Sequence, residues 1–377
     1  MTTTMIFLIK KHLLKPALIV LVGSAALLSP LAQAQMVAPN VAVPYYTPGS
    51  FMQGVYRGWY APQAAEFAKQ ARQLPNALSA ACDAPAANAA SALQQAKTQW
   101  QTTAAAWSRL SSVQIGPLLE RRSARQIDFN PTRPELIARA IDAAPTGANA
   151  MEQVGTPAKG LPALEWLLYT RPAAPALAGT PDCRYAVQVA QDIEREAAAL
   201  SLAFSALAAQ DLGEEDASAP AMGELVNQWI GALEHLRWPD MGKPLLAGAS
   251  AVAPSESARK AGNSFPRVAS GQTAATWTAQ WQALRALAAS QASLAPQPGE
   301  TLAPLETYLR GRGLNPLANA LHQAVAKTDK AMLNPTPADK ASITAATREL
   351  ASLKKLAEVQ VAPALQVSLG FSDADGD

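Results

Sequence analysis

Histidine and cysteine are scarce in this chain of 377 residues, which holds three of the first and two of the second. One histidine, His12, lies among the first 34 residues, leaving His235 and His322 further on. Neither has another His, a Cys or a carboxylate three or four positions away, the spacing that puts two ligands on one helical face. Nothing here resembles an H-E-x-x-H zinc helix, a glycine-rich phosphate loop or a G-x-S-x-G elbow. Alternating runs of β-branched residues bounded by turns are nearly absent too, which removes the usual signal for strands. Excess charge of one sign is also missing. The totals are 31 basic and 29 acidic residues, and the first 34 residues hold Lys10, Lys11 and Lys15 with no acid, leaving 28 against 29. That balance argues against a protein whose task is to neutralise a phosphate backbone, so nucleic acid is not the expected partner.

What the N-terminus does have is a leader. The three lysines precede an apolar run from Ala17 to Leu28, and the segment closes on Ala32-Gln33-Ala34, the n-region, h-region and small-residue cleavage site of a secretory signal. Gly23, Ser24 and Ser29-Pro30 interrupt the run, which falls short of the roughly 20 apolar residues that span a bilayer. No cysteine follows the cleavage site to accept a lipid. Residues 1–34 are therefore expected to be a cleaved signal peptide, with the remainder in the periplasm or cell envelope and no transmembrane segment after cleavage. In such an oxidising compartment Cys82 and Cys183, both in loop-like contexts, are expected to form a disulfide.

The body of the chain reads as helix. Trp100, Ala104 and Trp107 share one helical face, as do Val189, Ile193, Ala197, Leu200 and Phe204. Met222, Leu225, Val226, Trp229, Ile230, Leu233 and Leu236 form the cleanest stripe, and further stripes run through Trp277 to Ala288, Leu317 to Val325 and Ile343 to Ala357. Alanine, the best helix former, is abundant, and Pro/Gly punctuation separates the stripes. The fold class is all-α, with antiparallel helices joined into bundles. Lys243 to Ala269 is the longest stretch after the leader without a convincing period, and reads as a linker or a functional loop. This places one helical bundle in residues 35–242, and the loop with a second bundle in residues 243–377.

Two segments carry polar groups that composition does not ask for. Ile115 to Phe129 is dense in arginine, with Arg121, Arg122 and Arg125, and ends near Asp128; a solvated helix end accounts for it equally well. Gly160 to Tyr169 (GLPALEWLLY) embeds Glu165 among large apolar residues. A carboxylate there is paired, binds a cation or is held protonated, unless it simply complements the dipole of the first helical turn. The terminal DADGD has its glycine fourth rather than sixth, so it does not match an EF-hand loop and reads as an acidic tail. Tyr45, Tyr46, Tyr56 and Tyr60 read as aromatic anchors of the chain end rather than ferric ligands.

These segments, with SESARKAGNSF at 255–265 and the terminal LGFSDADGD, resemble the imelysin-like proteins, formerly grouped as peptidases. The resemblance implies two helical bundles side by side with a pocket between them, in exported envelope proteins many of which are associated with iron acquisition. The family signature G-x-H-x-x-E matches at Gly160 and Glu165 but meets Pro162 where the histidine stands, leaving Glu165 as the only motif ligand for a metal. Zinc-type peptidase chemistry loses its main physical support, and no catalytic residue is assigned. The resemblance places Glu165, the arginines 121, 122 and 125, Asp128, Ser255, Glu256 and Asn263 around the pocket. That set suits a small polar ligand or a structural ion-pair network. Iron is the candidate cofactor, and an envelope protein is the alternative partner. The function expected is a non-catalytic ligand- or partner-binding protein of the envelope; a metal-dependent peptidase and a structural or chaperone-like component are the alternatives.

Overall fold

A computed structural model describes residues 43–171, 178–212, 215–249, 264–290 and 294–370. The architecture is all-helical, with no strand among the described residues. Local chemistry starts several helices in recognisable ways. Thr47 caps the Pro48–Val55 helix, its hydroxyl accepting from Ser50 N–H while Ser50 Oγ accepts from Thr47 N–H, and Pro48 occupies the first turn. Thr180 accepts from Cys183 N–H to open Pro181–Ala209, and Asp339 accepts from Ala341 and Ser342 N–H to open Lys340–Leu356.

The helices fall into two packed groups. In the first, Ala61–Cys82 packs on Ala89–Ser111 and Pro181–Ala209, with the short Gly160–Glu165 helix against the last of these. In the second, Glu215–His235, Asn315–Ala331 and Lys340–Leu356 pack together with Thr273–Ala288. The groups share contacts, because the 48–55 helix lies on the 215–235 helix and the 273–288 helix lies on the 89–111 helix. Buried residues from Tyr46 to Ala362 accordingly join one core cluster. The stripes read from the sequence supply it: Trp100, Trp107, Phe204, Trp229, Trp277, Leu321 and Leu350 are all buried. Buried indoles also latch elements together, Trp100 Nε1 donating to Leu161 O at 3.1 Å and Trp229 Nε1 to Leu284 O at 2.9 Å.

Cys82, the last residue of the 61–82 helix, is bonded to Cys183 in the first turn of the 181–209 helix, with Cα atoms 5.7 Å apart. The expected disulfide is present, at helix ends rather than in loops. Close crossing is set by glycine at the other end of the same layer: a Cβ on Gly54 would stand 2.3 Å from Thr301 O, and one on Gly58 2.2 Å from Leu302 N.

Sequence periodicity gives no sign of the four π-helical segments that continue α-helices among the described residues: Tyr56–Tyr60, Trp166–Thr170, Leu236–Gly242 and Ala357–Val361. Each widens a helix by a residue per turn, which the 3.6-residue stripes absorb without an obvious break. Two of them begin immediately after Glu165 and His235, and so shape the region described next.

Candidate functional site

Glu165 ends the Gly160–Glu165 helix and is 7% exposed. Gly160 starts that helix at φ +80°, and a Cβ there would lie 2.4 Å from Ile127 O. Glycine is thus required both for the left-handed backbone and for the approach of the 123–127 helix that ends at Asp128. This contact brings the two carboxylates singled out from the sequence to the same place.

The group between them is Arg267, which is 7% exposed. Its Nη2 donates to Asp128 Oδ1 at 2.6 Å and its Nη1 to Glu165 Oε2 at 3.5 Å. The guanidinium also lies over the Trp100 ring, 5.5 Å from the centroid. Burial pulls the Arg267 pKa down, but Asp128 and Glu165 more than offset it, so the net shift is upward and the group stays charged. The remaining carboxylate oxygens are engaged as well. Glu165 Oε1 accepts from Ser270 N at 3.0 Å and Ser270 Oγ at 2.7 Å, and Asp128 Oδ2 accepts from Trp107 Nε1 at 3.1 Å.

A second polar pair stands nearby. His235 Nδ1 lies 3.4 Å from Asp240 Oδ2. Residues five apart on an α-helix sit about 140° around the axis from each other. The π-helical turn at Leu236–Gly242 stacks i over i+5 and makes the contact. Asp240 Oδ2 also accepts from Gln280 Nε2 at 2.7 Å. Asp240 raises the His235 pKa above its ordinary value, burial opposes this, and Asp128 adds to the rise.

Two cavities meet at this region. One, of about 280 Å³, is lined by Pro162, Glu165, Trp166, His235, Asp240 and Arg267 among others. The other, of about 290 Å³, is lined by Trp107, Asp128, His235, Gln280 and neighbouring side chains. Asn130 and His235 line both.

Of the residues grouped from the sequence, the structure brings together Glu165 and Asp128, with Gly160 and Pro162 on the same helix. Arg121 is placed elsewhere: its Nη2 meets Glu196 Oε2 at 2.7 Å, and Ser123 Oγ donates to Glu196 Oε1 at 2.6 Å. Arg122, in the left-handed region at φ 52°, and Arg125 are exposed, and none of the three arginines lines either cavity. Ser255, Glu256 and Asn263 lie outside the described residues. Sequence reasoning missed Arg267, Ser270, Asp240 and Gln280, and found no partner for His235 at helical spacing. The one available signal was an arginine set between Phe265-Pro266 and Val268-Ala269 at the end of the aperiodic stretch.

A metal fits the site poorly. Glu165 and Asp128 spend their oxygens on Arg267, Ser270 and Trp107, and Pro162 offers no donor atom. No set of three or more His, Cys, Asp and Glu side chains able to hold an ion occurs among the described residues.

A helical fold whose buried Glu closes a G-x-x-x-x-E helix, facing a pocket where two helix groups meet, defines the class of protein. The chain belongs to the imelysin family, whose model, Imelysin, matches residues 60–363. Among solved structures, it is similar to an imelysin-like protein from Psychrobacter arcticum 273-4, at 20% identity, 88% of this chain and 99% of that one covered, TM-score 0.62. It is also similar to a protein from Parabacteroides distasonis ATCC 8503 described as a candidate iron-regulated protein A precursor, at 13% identity, 84% and 94% covered, TM-score 0.64. At these identities the likeness concerns the fold. No curated protein sequence matches the chain.

Proposed function

We propose that this is an exported, non-catalytic binding protein of the bacterial cell envelope that takes a small polar ligand or a partner protein and serves iron acquisition. The observation that carries the reading is the Arg267 clamp. A general base needs a free carboxylate or one bound to water or metal, whereas both Glu165 oxygens face protein donors. The adjoining cavities then serve recognition. The iron association rests on the description of the Parabacteroides protein and on family membership. Export rests on the leader sequence, and no helix among the described residues is long and apolar enough to cross a membrane.

Because Glu165 is spent on the clamp, the iron role is assigned to a partner or an iron-containing ligand rather than to a bare ion. For the domains, the reading remains one helical bundle in residues 35–242 and the loop with a second bundle in residues 243–377, the 215–235 helix packing on both the 48–55 and the 340–356 helices. The mature protein recovered from the envelope, titrated calorimetrically with ferric, ferrous and zinc ions and assayed on unfolded casein, tests the whole reading. Absence of proteolysis together with a partner retained under iron limitation supports it. Proteolysis abolished by Glu165→Gln establishes the peptidase alternative instead.

A further inference from the structure

The 280 Å³ cavity beside the clamp has walls built largely from rings. Pro131, Pro162, Pro239 and Pro266 line it, together with Trp166 and Phe265. Pro162 stands where the family signature has histidine, so an apolar ring takes the place of a ligand atom. These side chains are flat and have few rotatable bonds, and packing a rigid ligand against them orders little that was free before. The volume exceeds the roughly 150 Å³ of an apolar cavity that accepts benzene and lies just below the roughly 300 Å³ at which ligand sites begin. One substituted ring fits, and a larger molecule does not.

The charged groups around the cavity are matched to one another. Arg267 is held by Asp128 and Glu165, while Asp240 accepts from Gln280 and faces His235 Nδ1. A charged ligand would give up its hydration to enter a network that has no counter-ion left for it, so the class that fits is neutral. The polar atom that stays open is His235 Nε2. The half-exposed ring lines the cavity with Nδ1 turned to Asp240, and Nε2 has no partner among the described residues. Asp240 raises the pKa of this ring above 6.5, which widens the pH range in which Nε2 carries a proton. A protonated Nε2 donates and a neutral one accepts. A hydroxyl answers both states with a single neutral atom, whereas a carboxylate only accepts. Asn130 spends its amide group on Asp128, and the other hydrogen-bonding side chains of the wall, Thr132, Thr170 and Ser264, are partly exposed.

We propose that this cavity binds a phenol, a single neutral aromatic ring packed against the prolines and Trp166 with its hydroxyl on His235 Nε2. This rests on the binding-protein reading and gives it a ligand class.

Calorimetric titration of the oxidised protein lacking residues 1–34 with phenol, toluene, cyclohexanol and sodium benzoate at constant ionic strength tests it. Saturable phenol binding is expected, about tenfold tighter than that of toluene, the worth of one hydrogen bond, and tighter than that of cyclohexanol, with benzoate inert. His235→Asn keeps an amide where Nδ1 meets Asp240 but removes Nε2, and should bring phenol down to the toluene level. His235→Gln, whose amide reaches the place of Nε2, should recover part of the difference. In the native protein phenol should shift the NMR signals of the His235 ring, which decides the matter if circular dichroism shows that the variants fail to fold. No saturable phenol binding, equal affinity for toluene or cyclohexanol, unchanged phenol affinity in folded His235→Asn, or unmoved His235 signals overturns the proposal. A protein that binds a different ligand or partner while refusing phenol overturns the phenol alone, whereas proteolysis dependent on Glu165 overturns the binding-protein reading itself.

Discussion

Arg267 holds two carboxylates that the fold has already removed from water, and removing it strands both. Arg267→Ala is expected to destabilise the protein by about 3–5 kcal/mol, the range for breaking a buried ion pair from one side. Arg267→Lys, with one compact charge in place of a fork, should recover only part of that. Urea midpoints at neutral pH measure both, and a loss below about 1 kcal/mol for the alanine variant contradicts the clamp. His235 gives a pH signature. Its folded pKa is raised by Asp240, so the pair adds stability below the unfolded value near 6.5 and loses it as pH rises through the folded value. The half-exposed ring keeps the effect on stability small, and the titration itself is the readout. NMR should place the His235 pKa above 6.5, and Asp240→Asn should lower it; an unmoved titration shows that the π-helical contact does not persist in solution. At this scale the sequence showed Glu165 because it is a carboxylate among large apolar residues, and Asp128 because it stands near the end of an arginine-dense segment. It hid their partner because Arg267 lies 102 positions beyond Glu165, in a segment whose conformation is dictated by packing rather than by a period.

The elements were more legible than the contacts between them. Stripes such as Met222 to Leu236 are visible because burial repeats every 3.6 residues, and nearly every one lies in the core. The π-helical turns were not visible, because one extra residue shifts the stripe by less than the width of the apolar face. The Gly160 turn shows how a single residue fixes an element for the site. Gly160→Ala combines a left-handed backbone with a Cβ placed 2.4 Å from Ile127 O, and is expected to cost about 2–4 kcal/mol. It should also separate Asp128 from Glu165, so that the cost is smaller when Arg267 has already been replaced; a double-mutant cycle measures that coupling, and strict additivity argues against it. The Cys82–Cys183 bond closes a separation of 101 residues between two helix ends. Replacing both cysteines with serine should cost about 2–5 kcal/mol, read as a lower urea midpoint, and reductant should have the same effect on the native protein.

Whether the two helix groups behave as one body depends on what crosses between them. The 48–55 helix belongs to the N-terminal part of the chain yet packs on the 215–235 helix, and the 273–288 helix returns to pack on the 89–111 helix. The Arg267 clamp lies among these crossings, so the site and the association of the groups are one structural problem. Sequence analysis divided the chain by a loss of periodicity near Lys243, which marks an aperiodic stretch but does not report which helices share a core. With apolar contacts exchanged in both directions and a single connected core, neither group can expose its inner face without a large loss of burial. Thermal unfolding of the oxidised protein lacking residues 1–34 is therefore expected to be one cooperative transition, with calorimetric and van 't Hoff enthalpies in agreement. Arg267→Ala should lower the midpoint without splitting it, since the helix crossings remain. Two resolved transitions in the native protein would show instead that the groups are separable bodies, with the clamp as a latch between them.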